Sequence, residues 1–248
     1  MIFKKKIDIG KGKELLSRYR ISDVHTHILP GIDDGSKDTE ESVRLLTALS
    51  EQGIDTVVAT PHYYPTEKSP DSFLTLRDNA WELLSEKLTE SLPRVKLGAE
   101  VLYFRGISRM ESLERLCVQG TKTLLLEMPS DLWSEYILRE IFDIQRSRGI
   151  DVVMAHIERY MQKQPSSLFN QLLTGGVKMQ INASSLTGKQ GKKLAKMLSD
   201  GMIHFIGSDC HNMTTRAPDM ASAAATVAAY AGEEVFAMLS KSCGVYFG

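Results

Sequence analysis

The chain has 248 residues, 42% hydrophobic and 25% charged, enough apolar material for a large buried core. Its 30 basic residues against 31 acidic ones leave a net charge of −1, without the cationic excess that nonspecific nucleic-acid binding needs. No apolar run approaches the ~18 residues of a membrane span. The three cysteines include no CxxC pair, which argues against a disulfide framework or a thiolate zinc knot.

The N-terminus reads MIFKKKIDIG, a cationic start with no apolar core behind it, so a secretory signal is excluded and a cytoplasmic location is expected. Residues 1–20 carry Lys4, Lys5, Lys6, Lys11, Lys13, Arg18 and Arg20 against Asp8 and Glu14. This segment reads as a cationic N-terminal extension, either a solvated leader or edge element, or a docking arm for an anionic partner. Residues 21–248 contain no linker, low-complexity tract or repeat of fixed length, and read as a single domain.

Short β-branched runs then alternate with longer helical segments. The strand candidates are Ile21–His25, Thr56–Ala59, Val95–Val101, Leu124–Glu127, Asp151–Ala155, Lys178–Ile181 and His204–Gly207. The clearest helix opens at Asp38 with Glu41 completing a capping box, presents Val43, Leu46 and Leu49, and ends at Gly53. Another carries Leu194, Met197 and Leu198 and stops at Gly201. Such βα repetition predicts a parallel sheet, and seven units in this length suit a closed α/β barrel better than an open sheet.

His25 and His27 form HxH at the first strand's end, His62 follows the second, His156 the fifth and His211 the seventh. Glu100 and Glu127 also lie at strand ends, while Asp34 and Asp209 lie near the histidines in sequence. In a parallel barrel these ends share one rim, where active sites form. The strand period of two puts His25 with His27 and Asp209 with His211, and turns Cys210 away. His204, at the other end of its strand, reads as a packing residue. Buried imidazoles and carboxylates in these numbers need partners or metal. Nine donors exceed one ion and suit two or three divalent ions, with manganese, iron or zinc favoured by the lack of sulfur. Three such ions would leave the site at about +2, attractive to a phosphate dianion. Bridged water there would lose its proton near neutral pH and serve as nucleophile, pointing to phosphoester hydrolysis, with amide hydrolysis or deamination using similar parts.

DVHTHILPGIDDG, TPHYYP, GAEV, LLEMP, AHIERY and GSDCHN, in this order, resemble the PHP (polymerase and histidinol phosphatase) superfamily. More narrowly, HIERY and the GIDDG after HxH resemble its bacterial capsule and exopolysaccharide tyrosine phosphatases, from about Asp23 to Arg216. The resemblance implies a distorted seven-stranded (β/α)7, TIM-like barrel and a trinuclear, usually manganese, centre. It implies His25, His27, Glu100 and Asp209 around one ion, Glu100, Glu127 and His156 around a second, and Asp34, His62 and His211 around the third. It also implies that Arg159 and Arg216 hold the phosphate, and that the partner is a membrane-associated bacterial tyrosine kinase with a tyrosine-rich tail. The leader and the Tyr63-Tyr64-Pro65 loop depart from the pattern.

Independently of the family, both arginines follow rim histidines, and a guanidinium fork matches phosphate oxygens. The alternative for each is a surface salt bridge. Tyr136 and Tyr160 are candidates for packing on an aromatic substrate, or simply for the core or rim. Cys210 and Arg216 fit the Cys-x5-Arg pattern of cysteine-dependent phosphatases, but the intervening HNMTT lacks glycine for a phosphate-cradling loop. Cys117 and Cys243 read as small buried hydrophobes. The expected activity is hydrolysis of phosphotyrosine in proteins by metal-bound hydroxide, with Asp209 or His211 as candidate acid for the leaving phenol. The rivals are a small-molecule phosphatase, such as one for histidinol phosphate, and a metal-filled scaffold that only binds the kinase.

Overall fold

A computed structural model describes residues 7–248. The strands are β1 (Asp23–Thr26), β2 (Thr56–Ala59), β3 (His62–Tyr63), β4 (Arg94–Leu97), β5 (Glu100–Leu102), β6 (Thr123–Glu127), β7 (Asp151–Met154), β8 (Lys178–Asn182) and β9 (Phe205–Gly207). The helices are α1 (Ile9–Tyr19), α2 (Thr39–Glu51), α3 (Pro70–Ser85), α4 (Glu135–Arg148), α5 (Ser166–Thr174), α6 (Ala183–Thr187), α7 (Gly191–Ser199), α8 (Met220–Ala231) and α9 (Glu234–Tyr246).

Every strand pairing is parallel, in the orders β1-β2-β4 and β3-β5-β6-β7-β8-β9. β1 and β2 are buried along their whole length, as strands covered on both faces must be. The result is an α/β fold with a curled parallel sheet. The run Val95–Val101 is two strands, because the chain breaks at Gly98 and Ala99 beside a matching break at Thr60 and Pro61. Pro61 has no N–H for a ladder, and the two breaks are stitched by Gly98 N–H to Ala59 O (2.8 Å) and Glu100 N–H to Pro61 O (3.0 Å). Beyond the breaks, β3 and β5 restart with His62 paired to Glu100. One isolated parallel bridge, Thr26 to Cys210, links the end of β1 to the segment after β9. Gly207 permits that approach, since a Cβ there would fall 2.6 Å from the Cβ of His25.

α2 begins as its sequence predicts, with the Asp38 carboxylate accepting the Glu41 N–H at 2.8 Å. Glu41 reaches back to the N–H of Lys37 rather than of the cap residue. Leu45, Leu46 and Leu49 are its buried face, and Val43 packs at the edge. In α7, Leu194 and Leu198 are buried and Gly201 follows with φ +71°.

The first six residues, with Lys4, Lys5 and Lys6, lie outside the described residues. The rest of the cationic segment is α1, capped by Asp8 on the Lys11 N–H. Its Leu15 and Leu16 are buried in the core, and Gly12 faces Ala221 and Ala225 of α8. Its cations face outward, Lys11 pairing with Glu14 and Glu233. Among the described residues no helix is long and apolar enough to cross a membrane.

His204 bears out its packing role: its Nδ1 accepts the Met179 N–H at 3.2 Å. Burial, then the Lys178 charge, pushes its pKa from 6.5 down to about 4. The folded protein therefore keeps this ring neutral where the unfolded chain protonates. Its stabilising contribution is complete above pH ~6.5 and is lost as pH falls toward 4. His204→Asn keeps an acceptor but cannot titrate, so its melting temperature should fall less over that window than the wild type's. Parallel acid-side curves for the two proteins would refute this.

Candidate metal centre

The HxH histidines are fully buried and face each other, with Nε2 atoms 3.2 Å apart. Glu100, delivered by the restarted strand β5, lies among them. Its Oε2 is 3.2 Å from His25 Nε2, 3.4 Å from His27 Nε2 and 3.0 Å from His62 Nδ1. Its Oε1 is 2.7 Å from His156 Nε2, and Glu127 Oε1 is 3.6 Å from that same nitrogen. Asp209 Oδ1 closes the group, 3.5 Å from His25 Nε2 and 3.4 Å from His27 Nε2. Asp34, the most exposed member, sets Oδ1 3.4 Å from His62 Nε2 and 3.3 Å from His211 Nε2. All nine residues singled out from the sequence thus meet at one end of the sheet.

Two of them sit on unusual backbone. His156 and Asp209 have φ of +34° and +54°, the left-handed region that disfavours residues with a Cβ. Each has a compensating bond: Gln180 Oε1 accepts the His156 N–H at 2.7 Å, and His25 O accepts the Asp209 N–H at 2.8 Å.

The electrostatics follow from burial and neighbours. Burial alone would raise the pKa of Glu100 and Asp209, but the charges and hydrogen bonds of His25, His27 and, for Glu100, His156 hold both well below the usual range. Conversely, burial would lower His25 and His27, and the same carboxylates hold them up. Burial, reinforced by the Glu100 charge, pushes Glu127 up to about 7. The cluster therefore draws positive charge to itself.

The donor set fits divalent ions. His27, Asp34, His62 and His211 converge within ion-binding distance, as do His25, His27 and Glu100, and His62, Glu100 and Glu127. Among the described residues, His62 Nδ1, Glu100 Oε2 and His211 Nε2 are buried side-chain atoms without a hydrogen-bond partner. His62 Nδ1 and Glu100 Oε2 are close, but outside hydrogen-bonding geometry. Buried, unpaired lone pairs on nitrogen and oxygen, with no sulfur nearby, suit manganese, iron or zinc.

Arg159 and Arg216 both reach this cluster. Arg159 Nη2 is 2.6 Å and Arg216 Nη2 2.8 Å from Asp209 Oδ2. Arg216 is presented by a tight loop in which Asn212 Oδ1 accepts the N–H groups of Thr214, Thr215 and Arg216. Cys210, by contrast, is fully buried, and burial, followed by the Asp23 charge, pushes its thiol pKa well up. A thiol so protonated and enclosed cannot attack phosphorus. Cys117 and Cys243 are also buried. Tyr63 and Tyr160 are buried, whereas Tyr136 packs under Arg105, 4.9 Å from its ring centroid.

A family model described as capsular polysaccharide synthesis, CpsB/CapC, matches residues 21–243. The chain belongs to the CpsB/CapC family. Over 205 residues it is 33% identical to the tyrosine-protein phosphatase YwqE of Bacillus subtilis (strain 168), covering 78% of each chain. Over 218 residues it is 29% identical to the tyrosine-protein phosphatase CpsB of Streptococcus pneumoniae, covering 81% of this chain and 87% of that one. Solved structures of YwqE from Bacillus subtilis and CpsB from Streptococcus pneumoniae are described as metal-dependent tyrosine phosphatases. One of them superposes with a TM-score of 0.78 at 29% identity, over 92% of this chain and 94% of that one.

In this CpsB/CapC chain the structure adds residues that sequence reasoning passed over. Asp33 Oδ2 lies 2.7 Å from His27 Nδ1 and accepts the backbone N–H of His62 at 3.0 Å, so one carboxylate orients the His27 ring and pins the main chain at His62. Its signal lies in the sequence, since GIDDG offers two adjacent acids. Gln180 and Asn182 of β8 form an amide chain with a single direction. Gln180 Oε1 must accept from the His156 N–H, so the same oxygen, 3.3 Å from His25 Nδ1, makes that nitrogen the protonated one. Gln180 Nε2 then donates to Asn182 Oδ1, and Asn182 Nδ2 to Asp209 Oδ2. With Nδ1 spoken for, His25 turns its Nε2 toward Glu100. Neutral amides inside a strand carry no sequence signature of this role.

Proposed function

We propose that this chain is a metal-dependent protein-tyrosine phosphatase of capsule or exopolysaccharide regulation. The observation that carries it is the nine-residue histidine and carboxylate cluster, buried at its heart and open at Asp34, with Arg159 and Arg216 converging on the outer oxygen of Asp209. We assign His25, His27, Glu100 and Asp209 to one divalent ion, Glu100, Glu127 and His156 to a second, and Asp34, His62 and His211 to a third. Manganese is the favoured metal. When bound, such ions supply Lewis acidity and lower the pKa of coordinated water toward neutrality.

The chain's own residues do the rest. Asp33 and the Gln180–Asn182 pair fix the faces that the His27 and His25 rings offer. Arg159 and Arg216 exchange Asp209 for phosphate oxygens, with planar forks that suit three charged acceptors. Asp209 Oδ2 already accepts from three donors, and His211 Nδ1 lies 3.0 Å from the Asp209 carbonyl, so we read both as ligands rather than proton donors. A phenol of pKa ~10 leaves as phenolate without a strong acid. No phosphoenzyme forms, because the nucleophile is water and the nearby thiol of Cys210 is buried and protonated.

The same reading extends to the fold and setting. Counting β2 with β3 and β4 with β5 as interrupted strands, and the Thr26–Cys210 bridge as closure, supports a distorted (β/α)7 barrel. The family match from residue 21 supports residues 21–248 as one domain, with 1–20 added to it. The substrate we infer is a membrane-associated tyrosine kinase's tail, met in the cytoplasm. Chelation should abolish hydrolysis of a phosphotyrosine peptide and manganese restore it, while Cys210→Ser keeps most activity. Activity indifferent to chelator and lost in the serine variant would overturn the proposal. Turnover of histidinol phosphate in preference to the peptide would move the substrate to a small molecule.

A further inference from the structure

A cleft of about 590 Å³ adjoins the cluster and shares Glu127 and Arg159 with it. We propose that this cleft is an aryl slot, which takes the ring of a phenolic phosphate ester and rejects aliphatic phosphate esters. The proposal rests on the phosphatase reading and adds the source of its selectivity.

Besides the buried Tyr160, two aromatic rings line the cleft, Tyr64 and Tyr103, with Met128 and Pro129 beside them. Neither ring is free to wander. Tyr64 stacks on His62, with centroids 5.1 Å apart and planes inclined by 18°. The Tyr103 hydroxyl donates to Glu140 Oε2 at 2.6 Å, and the same buried carboxylate accepts the Gly106 N–H. A wall ordered in advance loses little rotamer freedom when a ligand arrives. The cleft is also tied to the cluster. Tyr160 OH accepts the Met128 N–H at 3.2 Å and lies 3.3 Å from His156 Nδ1.

Charge does not explain what this cleft selects. Lys163 and Arg159 are matched by Asp131 and Glu127 in its lining. The selective elements are aromatic faces, which favour a flat ring in stacked or edge-on contact. Pockets of this size accept ligands larger than a phenyl group, so room remains for the peptide that carries it. A phosphoserine with its phosphate on Arg159 has one carbon between ester oxygen and main chain, and would leave both rings bare. Sequence reasoning offered Tyr136 and Tyr160 for this contact but favoured core or rim packing for both. Tyr64 and Tyr103 are the half-buried rings of the lining, where Tyr160 is buried.

The test uses manganese-loaded enzyme hydrolysing para-nitrophenyl phosphate, with phenylphosphonate and methylphosphonate as competing inhibitors. In the wild type, phenylphosphonate should inhibit at least ~10-fold more tightly, the scale of burying one ring. Tyr103→Ala should collapse that preference to within ~2-fold while leaving methylphosphonate inhibition and metal content unchanged. Tyr103→Phe keeps the ring and should keep most of the preference, and melting temperatures report whether each variant folds. Equal inhibition by the two phosphonates in the wild type, or a preference that survives Tyr103→Ala, overturns the aryl slot while leaving the phosphatase reading intact. A metal-loaded wild type that turns over no aryl phosphate overturns both.

Discussion

Glu100→Gln should strip metal from the centre and lower turnover by at least ~100-fold, the scale of a lost electrostatic stabiliser. The substitution keeps shape and volume, so packing cannot account for a loss. What changes is one buried charge that four histidines share, with Glu100 oxygens 2.7–3.4 Å from their ring nitrogens. The amide has no harmless orientation. Turned one way, its NH2 faces His156, and turned the other way it faces the lone pairs of His25, His27 and His62. A donor in either place competes with any cation those lone pairs would bind. Metal stoichiometry, melting temperature and kcat on one preparation read the outcome. Full occupancy with wild-type turnover would remove Glu100 from the ligand set.

Arg159→Ala separates phosphate binding from metal binding, because a guanidinium cannot ligate a cation. Its side chain is 45% exposed, so water screens it, and the expected fall in kcat/KM is about 10- to 100-fold. Metal content and fold should persist. Arg159→Lys should recover only part of the loss, since a point charge cannot reproduce the fork. The competing account is structural: Arg159 contacts Asp209 Oδ2 at 2.6 Å and could merely hold that carboxylate in place. That account predicts a lower melting temperature with near-normal kinetics in the folded fraction. Arg216 and Asn182 contact the same oxygen, so the carboxylate keeps partners when Arg159 is gone. Wild-type efficiency in the alanine variant would refute phosphate binding by Arg159.

The histidines and carboxylates were legible because strand direction brings distant C-terminal ends together, whatever the detail of the sheet. His25, His62, His156 and His211 needed only that rule. The interruptions were not legible. A two-residue strand such as β3 has no periodicity, and Gly98 inside an apolar run carries no mark that distinguishes a break from a weak strand position. α1 was misjudged in emphasis, because counting its lysines and arginines drew attention from Leu15 and Leu16, which seat it on the core. Asp33 lost out to its neighbour Asp34, since adjacent acids look alike until the chain's turn decides which one faces His27. Tyr103 was missed for a related reason: a tyrosine four positions after the break is a slot wall only because Glu140, far along the chain, holds its hydroxyl.

The left-handed backbone at His156 and Asp209 sets durability against chemistry at two defined points. Conformations of this kind cost on the order of 1–3 kcal/mol for a residue with a Cβ, and glycine would be free of that cost. Relief of that cost alone favours glycine at both positions, but Asp209→Gly also strips Arg159, Arg216 and Asn182 of a shared acceptor, and either change deletes a donor from the centre. Stabilising this scaffold safely means mutating elsewhere, on the outer faces of its helices, and holding these two positions fixed.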